Sequence, residues 1–119
     1  LVSVPPLSVI GATPFEATSV QANVIADIRI TPARVGEVEV HVVLSPPGGA
    51  LQSITTATAR ISLATQAIPP IPVDLRLVGK NHFQAKLLLP RAGDWLFELF
   101  VEPEAGTSLR FSTAVAIRD

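Results

Sequence analysis

With 119 residues, 48% of them hydrophobic and 16% charged, the chain has the size of one domain and too much apolar material for a disordered tail. Nine basic side chains against ten acidic ones leave a net charge of -1, and the basic residues are scattered singly, which argues against a nucleic-acid partner. Cysteine and methionine are both absent, excluding a disulfide framework, a thiol nucleophile, thiolate zinc sites and the sulfur ligands that select cuprous copper.

Residues 1–14, "LVSVPPLSVIGATP", mix apolar residues with three prolines and a glycine, a pattern of linker or edge segment rather than helix or central strand. No apolar run anywhere in the chain reaches the ~20 residues that crossing a bilayer takes, so the chain is not expected to span a membrane itself. Its first residue, Leu1, is not methionine and is not followed by the charged start of a signal peptide, which predicts a piece or processed product of a longer protein.

From Phe15 onward, side chains alternate with period two in short runs parted by proline and glycine, which predicts a single β domain over 15–119. The first runs are "FEATSV" (15–20) and "NVIADIRIT" (23–31), the second with Val24, Ala26, Ile28 and Ile30 on one face and Asp27 and Arg29 on the other. "EVEVHVVLS" (37–45) sets Val38, Val40, Val42 and Leu44 against Glu37, Glu39 and His41, and "PPGG" (46–49) ends it. Next come "ITTATARISL" (54–63) and "IPVDLRLVG" (71–79), where Val73, Leu75 and Leu77 oppose Asp74 and Arg76. Prolines 69, 70 and 72 mark an edge or a crossing between sheets. "HFQAKLLLP" (82–90) points Phe83, Ala85, Leu87 and Leu89 inward, an Arg91-to-Asp94 turn follows, and "WLFELFVEP" (95–103) and "SLRFSTAVAI" (108–117) complete the set. Seven to eight strands with turn residues every ~8 to 12 positions predict an all-β, immunoglobulin-like antiparallel sandwich.

On the 95–103 run Trp95, Phe97, Leu99 and Val101 share one face, so the sole tryptophan is expected in the core, where an indole hides on the order of 200 Å2. Asp94 reads as a turn former, and the pairs Glu37 with Glu39 and Glu98 with Glu102 read as solvated sheet surface. No Gly-x-Ser-x-Gly elbow or lysine-bearing phosphate loop is present, and no nucleophile, base and orienter can be named together, so an enzyme is not expected. Imidazole suits copper and zinc, which makes His41 and His82, with Glu39 on the same strand face as His41, the candidate metal ligands.

Two stretches carry a resemblance. "ADIRITPARVGEVEVHVVLSPPGGAL" and "PIPVDLRLVGKNHFQAKLLLPRAGDWLFELFV" share a "TPARVG" segment before a valine-rich strand, a "PGG" turn, an "NHF" position and a closing P-x-x-G-D-W hairpin. Over about residues 24–117 the chain thereby resembles the extracytoplasmic C-terminal domain that follows the membrane helices in actinobacterial proteins of the copper-resistance CopC/CopD (YcnJ-like) family. The resemblance implies a domain on the outer face of the cell membrane, part of a longer membrane protein of copper transport or resistance. The N-terminal histidine and the histidine, aspartate or methionine ligands of copper-carrying CopC domains have no counterpart here, so it implies contact with the parent's helices or a metallochaperone and no cofactor. Two alternatives stay open: direct copper or zinc binding through His41, His82 and Glu39, and a carbohydrate or adhesin-type module, which would need exposed aromatic rings arranged as a platform.

Overall fold

The computed structural model describes residues 14–21, 24–45, 54, 56–63, 69–102 and 108–119. The segment 1–13 and the 46–49 turn lie outside the described residues. Within them the chain forms nine strands and no helix: β1 (Phe15–Gln21), β2 (Val24–Thr31), β3 (Gly36–Ser45), β4 (Thr56–Leu63), β5 (Ile71–Val73), β6 (Arg76–Gly79), β7 (His82–Leu89), β8 (Gly93–Glu102) and β9 (Leu109–Ile117). All ladders between named strands are antiparallel. One sheet has the order β1-β2-β3-β7-β6, the other β5-β4-β8-β9.

Taken in chain order, β2 to β9 occupy the places of strands A, B, C, C′, D, E, F and G of an immunoglobulin sandwich, with β1 added outside A. The expected fold class is therefore present, with nine strands where seven to eight were expected. The extra strand arises within 71–79. The chain leaves β5 on one sheet and enters β6 on the other, with Asp74 and Leu75 making the crossing. Alternation runs through that crossing without a break, so periodicity alone reads it as a single strand. Pro72 lies on β5, an edge strand, where its missing N–H interrupts no central ladder. Leu77, expected inward, is exposed, because β6 is a four-residue edge strand with a bulge between Leu77 and Gly79.

The inward rows close the interior: Val24, Ala26, Ile28 and Ile30 from β2, Val38, Val40, Val42 and Leu44 from β3, and Phe83, Ala85 and Leu89 from β7 face Ala57 to Leu63 of β4, the Trp95–Val101 row of β8 and Phe111, Val115 and Ile117 of β9. Trp95 is 1% exposed, and its indole Nε1 donates to the carbonyl of Arg91 at 3.0 Å. Both the position, at the start of the F-equivalent strand, and the bond back to the preceding corner match the tyrosine corner of immunoglobulin sandwiches, made here by an indole. β8 begins at Gly93, two residues before the indole, so Asp94 lies in the ladder opposite Ala116 rather than in a turn. Gly93 has φ +141°, a conformation that favours glycine, and a Cβ there would stand 3.0 Å from Leu63 Cδ1, close enough to push that methyl aside.

Candidate functional site

The register of the five-stranded sheet decides which polar residues meet on its outer face. Glu16, Arg29, His41, Gln84 and Arg76 stand opposite one another across all five strands. One step along, Thr18, Asp27, Val43 and His82 form the next row, and on the other side Thr31, Glu39 and Lys86 form a third. His41 and His82 are therefore diagonal neighbours on adjacent strands β3 and β7, although 41 residues separate them.

All three candidate ligands are brought together. His41 Nδ1 lies 3.2 Å from His82 Nε2, the rings tilted by 40° with centroids 5.5 Å apart. His41 Nε2 lies 2.7 Å from Glu39 Oε1. The Glu39 carboxyl is held below its ordinary value, chiefly by the hydrogen bond from His41; desolvation opposes this, while the charges of His41 and Lys86 and a hydrogen bond from Gln84 reinforce it. An ionised carboxylate only accepts, so His41 Nε2 carries the hydrogen and donates. In the neutral ring that leaves Nδ1 with its lone pair, which accepts the hydrogen bond donated by His82 Nε2. Glu39 thus occupies a different place from the one expected of a ligand: it meets the far nitrogen of His41 and fixes which nitrogen is free, as carboxylates behind metal-binding histidines do.

Asn81, which periodicity does not single out, sets the position of His82. It occupies the second place of the tight β6–β7 turn with φ +54°, a left-handed conformation that asparagine tolerates. It is buried, its carbonyl oxygen accepts from Leu44 N at 2.9 Å, and its Oδ1 accepts from Ile54 N at 2.7 Å. The first bond ties the start of β7, and with it His82, to the end of β3, and the second ties it to the segment that leads into β4.

The pair borders an open depression of about 600 Å3 lined by Glu16, Thr18, Asp27, Arg29, Val43 and the two histidines, among others. Its other polar groups are engaged: Arg29 bonds Glu16, with Nε 3.0 Å from Oε2, and Thr18 Oγ1 donates to Asp27 Oδ1 at 2.7 Å. Among the described residues no three His, Asp or Glu side chains converge as a metal cluster. Nor is an aromatic platform present. Trp95, Phe83, Phe97 and Phe111 are core, and Phe15 and Phe100 are half-buried, the latter under the Arg60 guanidinium 5.4 Å above its ring.

The opposite face holds a carboxylate that the sequence pattern misplaces. Glu98 points outward from β8 as expected, yet its side chain is only 8% exposed. Arg60 Nε, directly across on β4, donates to Oε1 at 2.7 Å, and Arg110 from β9 bonds Oε2. These hydrogen bonds outweigh desolvation and lower its carboxyl to about 2. Glu102, its expected companion, is exposed.

No family model matches the chain, and no curated protein matches it either. Among solved structures it is similar to a DUF4426 family protein from Pseudomonas aeruginosa PAO1, with 15% identity, a TM-score of 0.68, and coverage of 87% of this chain and 97% of that one. At this identity the likeness is one of fold.

Proposed function

We propose that this chain is a non-catalytic, extracytoplasmic binding domain of a copper-handling membrane protein, and that it holds a cupric or zinc ion between His41 Nδ1 and His82 Nε2. The observation that carries the metal reading is the 3.2 Å between those nitrogens. Metal–nitrogen bonds of about 2.0–2.1 Å place two ligands of one ion about 2.9 Å apart at a right angle and about 3.3 Å apart at a tetrahedral one. The separation suits a shared ion once the hydrogen between the two nitrogens is displaced and the rings turn to aim both lone pairs at one point beside the line joining them. Glu39 supports it by keeping the His41 hydrogen on the opposite nitrogen.

The extracytoplasmic setting and the copper-handling parent rest on the resemblance carried by "TPARVG" and the P-x-x-G-D-W hairpin. A small, nearly neutral sandwich with an imidazole pair on a sheet face suits ion capture or hand-over to a metallochaperone. With imidazole donors, cupric ion binds more tightly than zinc, and magnesium, which prefers oxygen, does not compete.

Titration calorimetry of the 119-residue chain tests this. Saturable heat with cupric and zinc ions, lost in both His41→Ala and His82→Ala, is expected. Equal binding in wild type and both variants, or no saturable heat in wild type, overturns the proposal.

A further inference from the structure

Two imidazole nitrogens make half of a coordination shell. A closed zinc site takes four ligands, and cupric ion takes four in a plane. The residues around the pair do not supply the rest: Glu39 is turned to the far side of His41, Asp27 accepts the Thr18 hydroxyl, and Glu16 is bonded by Arg29.

We infer that the loaded half-site is completed by the same pair on a second copy of this chain, the two five-stranded sheets meeting face to face about a two-fold axis through the ion. The inference rests on the metal-binding reading above. Sheets stacked face to face lie about 10 Å apart, which puts the mid-plane about 5 Å from each backbone, the distance that an imidazole nitrogen followed by a metal–nitrogen bond of about 2.0–2.1 Å would span. A two-fold interface brings each patch onto its own copy, so the face must tolerate itself.

This face does. Its charges nearly balance, with Glu16, Asp27, Glu37 and Glu39 against Arg29, Arg76 and Lys86. Beside the histidines it exposes an apolar group that a monomer leaves in water: Val20, 58% exposed, stands opposite Ile25, and Val43, opposite His82, lies diagonal to Ile25. A second copy covers these residues and supplies the missing nitrogens together, whereas without the ion neither contribution suffices alone.

Sedimentation velocity with zinc chloride, paired with zinc calorimetry on the same samples, tests the inference. Doubling of the sedimenting mass at half an equivalent of zinc per chain, reversed by a chelator and absent in His82→Ala, is expected. A second variant, Val20→Lys, keeps both imidazoles and the lining of the depression and puts a charge into the apolar group that the second copy covers; it is expected to bind zinc and remain monomeric. Saturable zinc binding by wild type with the mass unchanged overturns the second-copy inference and leaves the metal reading standing. Doubling that persists in His82→Ala overturns the inference through this site. Absence of any zinc binding removes both readings.

Discussion

Replacing Glu98 by glutamine keeps the shape of the side chain and removes the charge that two guanidiniums hold. The carboxyl lies at about 2 against an ordinary 4.5. By linkage, that difference corresponds to about 3 kcal/mol of folding free energy as a ceiling. Arg60 and Arg110 are half-exposed, so solvent screening brings the expected loss for Glu98→Gln to about 1–2 kcal/mol at neutral pH. The sign in pH follows from the lowered value. The contribution is fully present above the unfolded-chain value near 4.5 and disappears as pH falls from there toward 2. Urea unfolding of wild type and variant, followed by the fluorescence of Trp95 at steps from pH 7 to pH 2.5, measures it. The two curves are expected to stay separated by the same amount down to about pH 5 and to converge below it. Curves that coincide at pH 7, or a separation that does not shrink in acid, would refute the assignment of Glu98 as the anchor of that face.

Two further substitutions test the corner and the histidine pair. Trp95→Phe leaves a void in the core and removes the bond to the Arg91 carbonyl, at an expected cost of roughly 2–3 kcal/mol, measured as a fall in the urea midpoint followed by circular dichroism. An unchanged midpoint would show that the indole does not anchor the strand. Glu39→Gln leaves both imidazoles in place but no longer fixes the His41 tautomer, so metal affinity by calorimetry is expected to fall about 10- to 100-fold. An affinity equal to wild type would remove Glu39 from the site.

Much of the fold follows from local patterning because a strand's alternation records which side of it faces the core. That is why the inward rows on β2, β3 and β8 and the burial of Trp95 agree with the reading of the sequence. Alternation carries no record of which strands become neighbours or of where a chain changes sheets. The crossing at Asp74 and Leu75, the exposure of Leu77 on a short edge strand and the inclusion of Asp94 in the ladder are all consequences of pairing, not of period.

The candidate site divides along the same line. His41 and Glu39 sit two residues apart on one strand, so their shared face is evident locally. His82 joins them only because β7 pairs with β3 across three intervening strands in a register that sets His82 diagonal to His41. Asn81 shows its role only once its left-handed turn and its bonds to Leu44 and Ile54 are seen together. The burial of Glu98 likewise depends on two arginines from different strands, β4 and β9, reaching one carboxylate on the strand between them.

The most direct measurement is anomalous diffraction at the zinc edge from crystals of the 119-residue chain grown with zinc. A peak lying between the facing nitrogens of His41 and His82, about 2.0–2.1 Å from each, is the expected result. A fully occupied zinc bound elsewhere on the surface, with these two nitrogens still in contact with each other alone, would contradict the account.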